Sequence, residues 1–147
     1  MNITDKTIYL VKLFEGCKLN AYLCPAGIAT IGCGSTFYTD GSKVKIGDQI
    51  TQDQADKLLL DTLNKFGTNI SKVITATLTD NQFSALVSFT YNIGVGALKS
   101  STLLKKVNIN PNDLSIAKEF TKWDKANGKV IPGLLSRRIA ESKLYFS

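Results

Sequence analysis

Apolar residues at positions 3, 8, 10, 11, 13 and 14 keep to one side of a 3.6-residue period. This spacing predicts a short amphipathic helix from Ile3 to Phe14, opened by Thr4 or Asp5. The pattern changes from Lys18 to Asp40. Pro25, Gly27, Gly32 and Gly34 alternate there with β-branched Ile28, Thr30 and Ile31, as expected of a small irregular sheet built from hairpins, and Gly41-Ser42 adds a turn. Thr51-Gln52-Asp53-Gln54 has the form of a capping box. It opens a helix over 51–73 with Ala55, Leu58, Leu59, Leu63 and Phe66 on its apolar face and an interruption expected at Gly67. A second box, Thr79-Asp80-Asn81-Gln82, precedes Phe83, Leu86, Val87, Thr90 and Tyr91 at helical spacing, and Asn92-Ile93-Gly94 ends that helix. Further helices are predicted over 97–107, 111–123 (with Pro111 in the first turn) and 132–146. The sum is a mostly α chain with one small β-sheet between its first two helices.

The 147 residues suit a single unit that buries about 70% of its unfolded surface. No apolar run approaches the ~18 residues of a membrane span. Ile8 to Val11 is too short for a signal-peptide core, so synthesis and residence in the cytoplasm are expected. Cys17, Cys24 and Cys33 are an odd set, leaving at least one free thiol, and a cytoplasmic chain is expected to hold all three reduced. Their spacing fits no zinc pattern. The net charge of +6 is spread along the chain. It suits contact with an anionic polymer, either nucleic acid or the bacterial envelope, or simply a soluble surface.

The absence of histidine narrows the chemistry further. Ser-His-Asp hydrolases, Cys-His peptidases and His-ligated zinc amidases all need an imidazole. A carboxylate-driven glycosidase does not. Glu15 closes the first predicted helix and is the only acid between Lys6 and Thr39. A partly shielded carboxylic acid can hold a proton near neutral pH and donate it to a leaving oxygen. A second carboxylate is usual in such enzymes, and none lies between Gly16 and Thr39, while Asp40 and Asp48 follow near the sheet. The candidates in the sheet are Cys24 and Thr30, which the residues alone do not link to Glu15.

The run Phe14-Glu15-Gly16-Cys17-Lys18-Leu19-Asn20-Ala21-Tyr22, followed by Gly27-Ile28-Ala29-Thr30-Ile31-Gly32-Cys33-Gly34, resembles the phage-type lysozymes, glycoside hydrolase family 24. Glu15, Cys24 and Thr30 meet that family's Glu-x8-Asp/Cys-x5-Thr spacing. Asn81 to Gly94 resembles its buried core helix. Gly133-Leu134-Leu135-Ser136-Arg137-Arg138 with Glu141 resembles its C-terminal GL-x-x-RR-x-x-E signature. The resemblance implies that Glu15 is the general acid and that Cys24 stands where most members have Asp. It implies that Thr30 helps to hold the water or the sugar. Arg137 would pair with Glu15, with Arg138 as the alternative match, and Tyr91 and Asn92 would line the cleft. Ser35 stands where many members have His.

The fold implied is α+β, mostly α and lysozyme-like. It would be one domain over 1–147, with a small β-rich lobe over about 16–50, a linking helix over about 51–73, and a helical lobe over about 74–147 joined by the N-terminal helix. The activity implied is that of an endolysin, a muramidase hydrolysing the β-1,4 bond between N-acetylmuramic acid and N-acetylglucosamine. No metal or organic cofactor is expected, nor nucleic acid, nor stable membrane insertion. A monomer released by a separate holin-like protein is expected. The rival functions are a glycan-binding module that has lost its chemistry, suggested by Cys24, and a nucleic-acid binder, suggested by charge alone.

Overall fold

A computed structural model describes all 147 residues. Helix α1 (Asp5–Glu15) leads into a two-stranded antiparallel sheet, β1 (Lys18–Leu23) and β2 (Ala29–Gly32). Turns and isolated bridges follow, pairing Ile31 with Ser35, Phe37 with Lys43 and Asn20 with Gln49. Then come α2 (Gln52–Ser71), α3 (Asp80–Ile93), α4 (Val95–Ser100), α5 (Thr102–Ile109) and α6 (Ile116–Thr121). A short hairpin, β3 (Lys125–Ala126) and β4 (Lys129–Val130), precedes α7 (Pro132–Tyr145). No helix is long and apolar enough to cross a membrane.

Both capping boxes form. The Thr51 and Thr79 hydroxyls accept from the Gln54 and Gln82 amides, while each glutamine side chain accepts from its threonine's N–H. Each such cap stabilises its helix by ~1 kcal/mol. Four expectations about the helices and strands need correction. Gly67 does not interrupt α2. It is buried, and a Cβ there would come within 3.3 Å of Phe83, so glycine serves close packing. The helix predicted over 97–107 is two helices, because Ser101 is extended and its hydroxyl caps α5 at the Leu104 amide. Pro111 lies in a turn ahead of a shorter helix, α6. The β3–β4 hairpin is a second sheet, turned by Asn127-Gly128, both with positive φ, the usual chemistry of a tight two-residue turn.

The core is centred on α3, where every residue from Gln82 to Thr90 is buried. Helices α1, α2 and α7 pack around it. The 21 buried apolar residues of this core include Val11, Leu63, Phe89, Phe120 and Tyr145. A smaller cluster, Ile31, Val44 and Leu58, joins the sheet to α2. The N-terminal segment is tied to α3 by Asn2 N donating to Asp80 and by Thr4 against Ser84. Lys12 of α1 reaches Asp56 of α2.

Cys17 and Cys33 form a disulfide, correcting the expectation of three reduced thiols, and Cys24 alone is free. The hairpin register explains the pairing. Lys18 sits opposite Gly32, so the residues flanking that pair, 17 and 33, face each other. The bridge ties the chain just past Glu15 to the far end of β2. A crosslink closing a loop of this size stabilises by about 3 kcal/mol, worth roughly 6 to 12 °C in a domain of this length. Cys17→Ser, or a reductant added to the unaltered protein, is therefore expected to lower Tm by that amount, measured by circular dichroism. Identical melting with and without reductant would remove the bridge from the stability of the fold.

Candidate active site

Glu15 is the last residue of α1, and Gly16 ends the helix with φ 66°. Its side chain is 25% exposed. The negative end of the α1 dipole opposes a negative charge here, while a cation favours one. The cation is Arg137 on α7. Its Nη1 lies 2.6 Å from Glu15 Oε1, and its Nη2 donates to the Ser88 carbonyl on α3 at 3.2 Å. Arg137 is itself buried. The ion pair thus joins residues 122 apart in sequence and pins the end of α1 and the first half of α7 against α3.

Of the two adjacent arginines, only Arg137 reaches Glu15. Arg138 turns inward: Nη1 lies 2.6 Å from Glu141 Oε1, Nη2 donates to Asn92 Oδ1, and Nε donates to the Trp123 carbonyl. Its guanidinium also lies over the Phe89 ring. Burial pushes the Glu141 carboxyl up to about 7 against the pull of Arg138 and Arg137.

Glu15 opens onto a cleft of about 470 Å³. Gly34 to Thr39 form one wall. Leu58, Asp61, Thr62, Lys65 and Phe66, on one face of α2, form another, and Tyr91 and Asn92 line it from the end of α3. The Tyr91 hydroxyl donates to the Cys33 carbonyl at 2.6 Å, and its ring packs on Phe66. Burial, then the charge of Glu15, pushes Tyr91 up to about 12, so it works as a neutral donor. A Cβ at Gly34 would come 3.3 Å from the Tyr91 hydroxyl and 3.6 Å from Glu15 Oε2, and its φ is 99°. The positive φ favours glycine there, and the Tyr91 hydroxyl leaves little room for a side chain. A second pocket of about 260 Å³ lies beside Glu15, between Phe14, Asn92, Ile131, Gly133, Leu134 and Arg137.

Cys24 and Thr30 lie on the hairpin and not in the lining of the larger cleft. Cys24 starts a turn in which its N–H donates to Ile28 O and its carbonyl accepts from Gly27. The Ile28 amide holds the half-buried Cys24 thiol below its ordinary range, against partial desolvation and with smaller help from the Ala26 amide and the Thr30 hydroxyl. Thr30 is buried, and its hydroxyl proton goes to the Ile28 carbonyl at 2.9 Å, so the backbone amides carry most of the effect. Glu15, Arg137, Tyr91 and Asn92 therefore share one site, and Cys24 and Thr30 share a neighbouring strand end. Sequence reasoning did not single out the α2 wall. Its spacing of i, i+3, i+4, i+7 and i+8 was present, but Leu58 and Phe66 read as core positions and Asp61, Thr62 and Lys65 as a solvated helix face. Ser35 is buried beside Tyr91.

Residues 12–141 match the family described as Phage lysozyme. An endolysin of Acyrthosiphon pisum secondary endosymbiont phage 1 is 42% identical over 151 residues, spanning 100% of this chain and 99% of the relative. An endolysin from the Escherichia coli phage FAHEc1 has the same fold, with a TM-score of 0.89 at 39% identity over 100% of this chain and 94% of that one. The muramidase domain of SpmX from Asticaccaulis excentricus superposes with a TM-score of 0.83 at 33% identity, over 99% and 98% of the two chains. With this α+β, lysozyme-like fold and matches along its whole length, the chain belongs to the phage lysozyme family, as a glycoside hydrolase of the endolysin kind that lyses peptidoglycan.

Proposed function

We propose that the enzyme hydrolyses the β-1,4 bond between N-acetylmuramic acid and N-acetylglucosamine, with Glu15 protonating the leaving oxygen. The observation that carries this reading is the Glu15 carboxyl at the mouth of a 470 Å³ cleft, held from behind by a buried arginine. A proton donor needs a fixed direction and partial shielding, and this arrangement supplies both. Tyr91 and Asn92 contact the glycan. The chain works as one two-lobed unit with α2 joining the lobes, as a monomer without nucleic-acid or membrane partners. It reaches the wall from the host cytoplasm with the help of a separate holin-like protein. Mass analysis of digested peptidoglycan tests the bond: new reducing ends on muramic acid are expected, and new ends on glucosamine or on the peptides would overturn it.

Cys24 supplies the second catalytic group, as base or nucleophile, with Thr30 beside it to hold the water or the sugar. The support is a thiol whose neighbouring amides favour the thiolate. A thiolate works above its pKa, so activity rises with pH on the acid side of the profile. Cys24→Asp is expected to remain active, with that limb moved to lower pH. Cys24→Ser is expected to lose most activity in a turbidity assay on outer-membrane-stripped cells. A serine variant within about twofold of the unaltered enzyme, small against the ~10² or more typical of a working acid–base group, would reduce Cys24 to a space-filler.

A further inference from the structure

The buried cluster behind Glu15 holds two arginines and one carboxyl. Arg137, Arg138 and Glu141 are all at most 3% exposed. Glu141 stands three residues after Arg138 and four after Arg137, so one helical face of α7 carries all three. Glu141 Oε1 pairs with Arg138 at 2.6 Å. Glu141 Oε2 and Arg137 Nε face each other at 3.7 Å without a close hydrogen-bond partner, and the buried Ser88 hydroxyl, which favours the ionised Glu141, is the third such atom there. Unpaired buried polar atoms so close together are unusual. Arg137 is thus placed between two carboxylates, tight on Glu15 and just short of Glu141.

A general acid must be protonated before it can act, and a protonated Glu15 no longer balances Arg137. A buried guanidinium without a counter-charge is strongly disfavoured. If Glu15 were the only anion available, the two arginines would hold it ionised and useless as a donor. We propose that Glu141 is a positioning residue for the reaction: paired with Arg138 and 3.7 Å from Arg137 inside the fold, it keeps a carboxyl beside Arg137 while Glu15 takes up and gives away its proton. Arg137 leans toward Glu141 when Glu15 is protonated, closing the 3.7 Å gap. It pairs with Glu15 again once the proton has passed to the leaving oxygen. This rests on Glu15 being the acid, as proposed above.

The ionisable groups around Glu141 are few. Arg137 and Arg138 come from α7 and Glu15 from α1. Tyr91 faces Glu15 from α3 and stays neutral. On α6, Glu119 is turned to Lys106 and Lys122, and Lys118 is exposed. No other charge takes over the balance.

The chain has three glutamates, Glu15, Glu119 and Glu141. Their carboxyl carbons can therefore be followed separately by 13C NMR against pH, independently of activity. In Glu141→Gln, Glu15 is expected to ionise at lower pH than in the unaltered protein. The alkaline limb of the kcat profile should move down with it, at about tenfold of kcat per pH unit of displacement. KM should stay within about twofold, since Glu141 lines neither pocket beside Glu15, and activity should recover at acid pH. The double variant Glu141→Gln/Arg138→Gln restores the balance of charge and should bring the limb back. A uniform loss of kcat at every pH, with Glu15 ionising as before, would make Glu141 a structural residue only and overturn the proposal. If Glu141→Gln does not fold, the double variant carries the test, and a limb displaced to acid there overturns it equally. If Glu15 shifts in the spectra while the kcat profile stays still, the coupling holds and the assignment of Glu15 as the acid fails.

Discussion

Glu15→Gln is expected to leave a folded protein that clears cell walls about 10² to 10⁴ times more slowly, the usual loss on removing a general acid. Glutamine keeps the size of the side chain and can still accept from Arg137 Nη1, so the contact between α1 and α7 survives in weakened form. It has no acid proton to give. No other carboxyl stands in for it. The only other acid lining the cleft is Asp61, on α2, which is bound to Lys57 and Thr39 and held below the usual carboxylate range. A group held ionised in this way does not donate a proton near neutral pH. The measurement is the rate of turbidity loss at matched enzyme concentration, with circular dichroism to establish the fold. Lysis within a few-fold of the unaltered enzyme would remove Glu15 from the mechanism.

The largest loss of stability is expected for Arg138→Ala. This side chain is fully buried and is the close partner of Glu141, which is fully buried too. Its removal also leaves Asn92 Oδ1 and the Trp123 carbonyl without their donor. Breaking a buried pair from one side is destabilising by about 3–5 kcal/mol, and here Glu141 loses its 2.6 Å partner and keeps only Arg137 at 3.7 Å. In a domain of this length that is a fall in Tm of roughly 6 to 20 °C. Arg137→Ala is expected to melt at a temperature between this variant and the unaltered protein, because Glu15 is partly exposed and can turn to water. It should nevertheless lose more activity per folded molecule, since it abandons the acid directly. Lys143→Ala, an exposed position on the same helix, serves as the control and should change neither quantity. Thermal unfolding within 2 °C of the control for Arg138→Ala would mean that Glu141 finds another partner or gives up its charge at little expense.

Local signals were readable wherever one stretch of chain satisfied itself. The capping boxes at Thr51 and Thr79 span three residues and form as expected. The amphipathic spacing of α1 and the turn residues between β1 and β2 lie within single elements. The missing imidazole excluded whole mechanisms before any geometry was known, because a residue type that is absent cannot be supplied by folding. The Asn127-Gly128 turn signal was equally local and was overlooked.

What the tertiary structure decided were meetings between distant residues. Cys17 and Cys33 bond because β2 folds back in a register that sets Lys18 opposite Gly32, and nothing in their spacing states that register. Two adjacent arginines of equal standing in the sequence divide their work, one to Glu15 and one to Glu141 and Asn92. Which of them reaches Glu15 depends on how α7 is rotated against α3. The polar face of α2 becomes a cleft wall only because the Gly34–Thr39 segment stands opposite it. Periodicity and caps are energies of neighbouring residues and can be read along the chain. A buried charge network is an energy of proximity in space, and it exists only once hydrophobic burial around α3 has brought α1 and α7 together.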